Sequence, residues 1–331
     1  MRIFKNILVT GCCGFIGSNF VNYILDKYSD VFILNIDRLD YCANENNIEE
    51  RFRKSDKYRL VVADINNKDF ILRCLNNYNI DTIIHFAAQS HVDNSFGNSI
   101  QFTIDNVLGT HTLLECSKVY NKLNLFLHFS TDEVYGSVEL NDKGCDEEIS
   151  LLNPSNMYSA SKAAAEFMVK SYYHSFKIPI IITRCNNVYG DNQYEEKLIP
   201  RFITNLINKE ICQIHGQGTS RRNFIHTYDV SSAVDIILQK GEINKIYNIG
   251  SEDEYSVNEI LDILMSKLNI KKKKEEVSIM IEDRPFQDFR YSVKTDKLEA
   301  LGWKKMISFD EGINKTIEYY KNKINLNLHH L

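Results

Sequence analysis

Val9-Thr10-Gly11-Cys12-Cys13-Gly14-Phe15-Ile16-Gly17 joins a short apolar run at 7–9 to an amphipathic stretch at 16–28. Three glycines at this spacing allow a tight turn, a close approach of the backbone to a ligand, and close packing of a helix on a strand. The unpaired N–H groups of the helix start then form a seat for a pyrophosphate. Gly11, Gly14, Phe15, Ile16 and Gly17 are therefore predicted to hold a dinucleotide. A second apolar run at 31–36 ends in Asp37, where a carboxylate meets the ribose hydroxyls of an adenosine and repels a 2′-phosphate. That favours NAD over NADP, with Arg38 beside it as a further cofactor contact.

The rhythm of the chain extends this reading. Apolar runs at 7–9, 31–36, 59–63, 82–87, 125–130 and 180–183 have the composition of buried parallel strands. Helical patterns at 16–28, 68–78, 104–120 and 159–176 alternate with them. Such alternation predicts an α/β fold with a Rossmann-type, doubly wound parallel sheet. Past residue 189 the pattern loosens into helices near 198–208, 257–268 and 310–321. The expected division is a dinucleotide-binding domain over 1–188, with a returning segment near 224–250, and a smaller mixed α/β lobe from 189–223 and 251–331.

Composition narrows the function. Of 331 residues, 44% are hydrophobic and 25% charged, with a net charge of −5, which suits a globular protein and disfavours a nucleic-acid partner. The run of lysines at 271–274 abuts Glu275-Glu276 and reads as a solvated loop. Eight cysteines lack metal-ligand spacing, so no metal is expected and reduced thiols in the cytoplasm are. The N-terminus runs straight into a strand, so no leader peptide is expected, nor is a bilayer-spanning segment.

Two segments carry chemistry. Tyr158-Ser159-Ala160-Ser161-Lys162 puts a phenol and an ammonium on one helix face, where the cation is expected to lower the phenol's pKa and make it a base. Thr131-Asp132-Glu133 follows the strand at 125–130, at the carboxyl end where open α/β sheets bind ligands. Two adjacent carboxylates in such a crevice repel each other and resist desolvation, which points to an acid/base pair.

Ser130-Thr131-Asp132-Glu133-Val134-Tyr135-Gly136 resembles the signature of the nucleoside-diphosphate-glucose 4,6-dehydratases, within the extended short-chain dehydrogenase/reductases. The likeness runs through Ser90-His91-Val92-Asp93, Arg184-Cys185-Asn186-Asn187-Val188-Tyr189-Gly190, Glu196-Lys197-Leu198, Arg222-Asn223-Phe224, Tyr247-Asn248-Ile249-Gly250, Asp283-Arg284-Pro285 and Arg290-Tyr291. It implies that Tyr158 takes the proton from the sugar O4 while Lys162 holds the nicotinamide ribose and Thr131 bonds the sugar oxygen. Glu133 is then the base at C5 and Asp132 the acid on the C6 hydroxyl. It also implies cofactor contacts from Asp64, Ile65, Ala87 and Ala88, beside Tyr158 and Lys162. Substrate contacts are implied for His91, Asn187, Lys197, Leu198, Arg222, Asn248, Arg284 and Arg290.

Asn186-Asn187-Val188-Tyr189-Gly190-Asp191 is similar to the UDP-glucose enzymes on the route to UDP-rhamnose, with dTDP-glucose as the alternative substrate. Arg284-Pro285-Phe286-Gln287 departs from the family's Arg-Pro-Gly-His. A 4-epimerase or decarboxylase on the same scaffold is disfavoured by Asp132, since neither reaction expels the C6 hydroxyl. A catalytically silent scaffold is disfavoured because Thr131, Tyr158, Lys162 and both acids are present. The family resemblance further implies a homodimer built on the helices at 104–120 and 159–176.

Overall fold

The computed structural model describes residues 2–328 apart from 284, 285 and 287. Seven strands form one parallel sheet in the order β3-β2-β1-β4-β5-β6-β10. They are β1 (Asn6–Thr10), β2 (Phe32–Asp37), β3 (Tyr58–Val62), β4 (Thr82–His85), β5 (Leu125–Thr131), β6 (Ile180–Cys185) and β10 (Ile246–Ile249). The order reverses between β1 and β4, which opens a crevice at their carboxyl ends. Every residue of β5 and β6 is buried, as continuous apolar runs covered on both faces require.

Each face has its own core. Phe20 and Ile24 of the helix Phe15–Lys27 share a cluster with Val234 and Ile237 of the helix Thr227–Lys240. The opposite face is covered by the helices Lys68–Asn77, Gly109–Tyr120 and Met157–Phe176, through Ile71, Leu113 and Val169. A third cluster gathers the helices Leu198–Asn208, Val257–Lys267 and Phe309–Leu328 around Tyr189 and Tyr320. Beside it lie β7 (Asn187–Tyr189), β9 (Arg221–His226) and β11 (Glu254–Ser256) in one small sheet, and β8 (Cys212–His215) paired with β12 (Ser278–Ile281) in another.

β7 already pairs with β9, so the main sheet ends at Cys185 and is rejoined only by β10. Leu298 and Trp303, expected in the smaller lobe, belong to the first core. Trp303 Nε1 donates to Ser232 Oγ at 3.0 Å, and Asp229 accepts from the backbone of Met306 and Ile307 at 2.7 and 3.1 Å. An indole with apolar area to bury and one donor to satisfy anchors the chain there.

The expected helix at 104–120 begins instead with a wide π turn, Thr103–Leu108. Such turns re-aim side chains within a helix. Beneath the sheet's edge, Arg184 and Glu166 form a buried pair at 2.6 Å, both nearly fully enclosed, with Arg184 over the Tyr135 ring at 4.5 Å. Among the described residues, no helix is long and apolar enough to cross a membrane.

Candidate active site

One cleft runs along the carboxyl ends of β1, β2, β4 and β5, lined among others by Gly11, Asp37, Ala87, Asp132, Tyr158 and Lys197. Its floor is the glycine turn. Gly11 has φ +74°, and a Cβ there would lie 2.8 Å from the Ala87 backbone. A Cβ on Gly17 would meet the Gly11 carbonyl oxygen at 2.6 Å. The helix Phe15–Lys27 starts at Gly14 with no side-chain cap, so its first N–H groups are left to an anion. This cradle, closed to any side chain, fits a pyrophosphate.

Asp37 stands at the tip of β2 and accepts from the N–H groups of Cys13 and Leu39 at 2.9 and 2.8 Å. Burial nevertheless pushes its pKa up. Arg38 is clamped by Asp105 and Asp40, each at 2.6 Å, and lines the cleft with Asp64 and Ile65. The π turn explains the clamp, because it delivers both Asp105 and Asn106. Asn106 Nδ2 donates to the Gln89 carbonyl at 3.0 Å and to Ser161 Oγ at 2.9 Å, while the Gln89 N–H donates back to Asn106 Oδ1 at 2.8 Å. The stretch carrying Ala87 and Ala88 is thereby fixed to the helix carrying Tyr158.

The acid/base groups converge at the tip of β5. Thr131 Oγ1 donates to Asp132 Oδ1 at 3.2 Å and accepts from the Glu133 N–H at 3.3 Å. Asn186 Nδ2 donates to Asp132 Oδ2 at 2.7 Å. Burial, followed by the charge of Glu133, pushes Asp132 up to about 7. Glu133 is also raised by burial, against the pull of Arg222; its Oε2 accepts from Asn156 Nδ2 at 3.3 Å and lies 3.4 Å from the Tyr291 hydroxyl.

The same Asn156 opens the helix Met157–Phe176 with a reciprocal capping box to Ser159. Its one side chain therefore sets both the helix start and the Glu133 carboxylate.

The YxxxK pair differs from expectation. Lys162 Nζ donates to the Phe129 carbonyl at 2.7 Å, and burial lowers its pKa to about 8. Tyr158 is raised instead of lowered, first by burial and then by the Glu133 charge. A carboxylate facing the phenol opposes its ionisation, and the ammonium is engaged elsewhere. In this arrangement the phenol is held protonated.

Several expected substrate contacts take other places. Asn187 and Lys197 line the cleft, and Lys197 Nζ donates to the Ser90 carbonyl at 2.9 Å. His91 begins the helix Val92–Gly97, 3.7 Å from Glu196 and 3.8 Å from Asp93. Leu198 starts the helix beyond the cleft and packs on the third core. Asn248 is fully buried; it accepts from the Tyr135 hydroxyl and donates to the carbonyls of Cys145 and Lys294. With its amide satisfied, it braces the site from behind and does not line it. Arg290 is spent on Glu254 and the carbonyls of Glu139 and Asp142. Arg222 lies 4.4 Å over the Tyr291 ring and donates to backbone carbonyls, its charge still felt by both acids. Arg284 falls outside the described residues.

A strap of three chain stretches runs beside the cleft. Asn19 Nδ2 donates to the Asp191 carbonyl at 2.8 Å, and Asn192 Nδ2 reaches Ser18 and Asn47 at 3.3 Å. Further along, the Tyr41 hydroxyl donates to Glu196 Oε1 at 3.0 Å, and its ring meets Tyr194 edge-on at 5.4 Å.

Comparison with known proteins accords with this geometry. The family model described as GDP-mannose 4,6 dehydratase matches residues 8–316. The chain is 43% identical over 317 residues to the trifunctional UDP-glucose 4,6-dehydratase/UDP-4-keto-6-deoxy-D-glucose 3,5-epimerase/UDP-4-keto-L-rhamnose-reductase of Arabidopsis thaliana, covering 96% of this chain. It spans about half, 47%, of that relative's length. It is also 43% identical to the dTDP-D-glucose 4,6-dehydratase of Dictyostelium discoideum, covering 97% of this chain and 82% of that one. The dTDP-glucose 4,6-dehydratase of Streptomyces venezuelae, solved with NAD, superposes with a TM-score of 0.91 at 36% identity, covering 97% of this chain and 98% of that one. The glycine cradle, the paired acids and the YxxxK helix thus all lie within the matched residues 8–316: the chain belongs to the GDP-mannose 4,6 dehydratase family.

Proposed function

We propose that this protein removes water from UDP-glucose, giving the 4-keto-6-deoxy sugar nucleotide, with NAD as its cofactor. The reading is carried by Asp132 and Glu133, adjacent carboxylates at one strand tip, the first buried and pushed up to about 7, the second half-buried. A reaction that needs one carboxyl protonated and its neighbour ionised gives both a role. The glycine cradle and Asp37 are the residues that would hold NAD, which when bound accepts a hydride from C4 and returns it at C6.

In this mechanism Tyr158 takes the O4 proton. Lys162 holds the ribose, and Thr131 donates to the same sugar oxygen. The 4-ketone acidifies C5, Glu133 removes that proton, and Asp132 protonates the departing C6 hydroxyl. Asn187 and Lys197 meet the sugar and diphosphate. UDP is favoured by the Asn186–Gly190 motif; the D. discoideum relative's name carries dTDP-glucose, which keeps that sugar nucleotide as the second substrate to assay.

We further propose a homodimer through the apolar side chains that the helical face leaves exposed: Ile104, Leu108, Val119 and Phe167. Leu113 and Leu114, by contrast, are core. All eight cysteines are free thiols, which supports a reducing, cytoplasmic setting.

The test is incubation with UDP-glucose and, separately, dTDP-glucose, followed by mass spectrometry and NMR. Loss of one water with a C4 ketone and a C6 methyl is the expected result. An unchanged mass with a galactose signal means epimerisation and overturns it.

A further inference from the structure

Asp288 is 4% exposed, and nothing in the mechanism above employs it. Its Oδ2 accepts from the Tyr291 hydroxyl at 2.6 Å and also from Ser155 Oγ. The same Tyr291 oxygen lies 3.4 Å from Glu133 Oε2. One phenolic proton thus faces two carboxylates, and the shorter bond assigns it to Asp288. Burial, the Glu133 charge and the Asp288 charge all hold Tyr291 protonated, Arg222 alone among the leading influences acting the other way. What Tyr291 turns towards Glu133 is therefore a lone pair.

We propose that Asp288 is a positioning residue for proton abstraction: by claiming the Tyr291 proton it makes the Tyr291 oxygen an acceptor for protonated Glu133. An ionised Glu133 gains little from that lone pair, whereas a protonated one can donate to it. The arrangement stabilises the state after abstraction, in which the C5–H bond has broken, an O–H bond has formed on Glu133, and the electron pair is delocalised into the 4-ketone. This rests on the proposed role of Glu133. The charged and titratable groups facing Glu133 are Asp132, Tyr158, Lys197, Arg222, Tyr291 and Asp288. Asp288 is the one among them that reaches it through a shared hydroxyl.

In Asp288→Asn the amide can donate to the Tyr291 oxygen, which frees the phenolic proton to turn towards Glu133 and to stabilise it as the carboxylate. The base is weakened without a change in volume. The experiment is a single turnover of the intact enzyme with UDP-glucose or dTDP-glucose, whichever the wild type dehydrates, in D₂O. Absorbance of reduced cofactor follows the C4 hydride step, and deuterium at C5 follows the abstraction. Asp288→Asn is expected to leave the hydride step near the wild-type rate and to slow abstraction about tenfold, a part of the about hundredfold or more that a general base supplies. Reduced cofactor then accumulates and KM changes little. Tyr291→Phe removes the acceptor altogether and is expected to divide the two steps in the same sense.

Equal slowing of both steps in Asp288→Asn, or an unslowed C5 step in either variant, overturns the proposal while leaving the dehydratase reading intact. A Glu133→Gln enzyme that still abstracts at the wild-type rate overturns both the proposal and the role of Glu133. A wild type that dehydrates neither sugar overturns the functional reading, and the proposal with it.

Discussion

Asn186 Nδ2 donates to Asp132 Oδ2 across 2.7 Å, joining the end of β6 to the tip of β5. Asn186 is itself buried, and its Oδ1 accepts from the Ser251 N–H at 3.3 Å, so the amide cannot turn round. The donor holds Asp132 lower than burial and the Glu133 charge alone would.

A pH dependence follows from that bond. In the proposed mechanism Asp132 acts when protonated, and burial raises its pKa to about 7. Dehydration should therefore fall as pH rises through that value. Removing the donor in Asn186→Ala should raise the Asp132 pKa further and carry the alkaline limb upward. Profiles of kcat against pH for the two proteins check this, and a limb that stays put or moves down contradicts it.

Stability should move against activity at the same residue. The Asp132 pKa rises from 3.8 unfolded to about 7 folded. The folded state thus binds the extra proton between those values, and stability lost through this group accumulates as pH climbs across them. Asp132→Asn removes that penalty. It should raise Tm at pH 8 by the equivalent of on the order of 1–4 kcal/mol and leave Tm little changed at pH 4. Thermal melts at the two pH values decide it, with product formation lost at both.

The glycine cradle makes a separate prediction. Gly11→Ala forces a non-glycine residue to φ +74° and sets its Cβ 2.8 Å from the Ala87 backbone. Strain of about 1–3 kcal/mol and a narrowed floor should abolish retention of dinucleotide. The ratio of bound NAD to purified protein, read after acid release, should fall to near zero while the helical circular dichroism persists.

The buried pair beneath the sheet is a matter of fold alone. Replacing Glu166 by Gln leaves Arg184, 1% exposed, without its counter-charge. Losing one partner of such a pair costs about 3–5 kcal/mol. Denaturant unfolding should show that loss in the midpoint with an unchanged slope. A double replacement by apolar residues of similar volume should recover much of it.

What could be read from the sequence was what short stretches determine. Gly11, Gly14 and Gly17, the carboxylate after β2, Tyr158 with Lys162, and Thr131-Asp132-Glu133 each sit within a few residues of the strand or helix end that aims them. All of them line one cleft. Asn156 carried a local signal as well, standing three residues before Ser159 in a capping box. For Asn186 and Tyr291 the sequence offered a motif position but not the contact to Asp132 or Glu133, because those partners lie 54 and 158 residues away.

The partners of the basic residues were hidden for a related reason. Arg290 and Arg222 look free as letters, but folding brings the Glu254 carboxylate to Arg290 and backbone carbonyls to both. The lowered phenol expected of Tyr158 failed because i, i+4 spacing fixes a shared face and not where the ammonium bonds. The π turn at Thr103–Leu108 was invisible for want of any breaking residue.

The strap beside the cleft has a kinetic meaning. Ser18 and Asn19, Tyr41 and Asn47, and residues 191–196 come from three stretches of chain and are tied by hydrogen bonds to one another. A dinucleotide held in the cleft is expected to exchange through a joint opening of those ties, a partial unfolding event and not the swing of one loop. Release is then governed by the free energy of that local opening, on the slow clock of subglobal fluctuations.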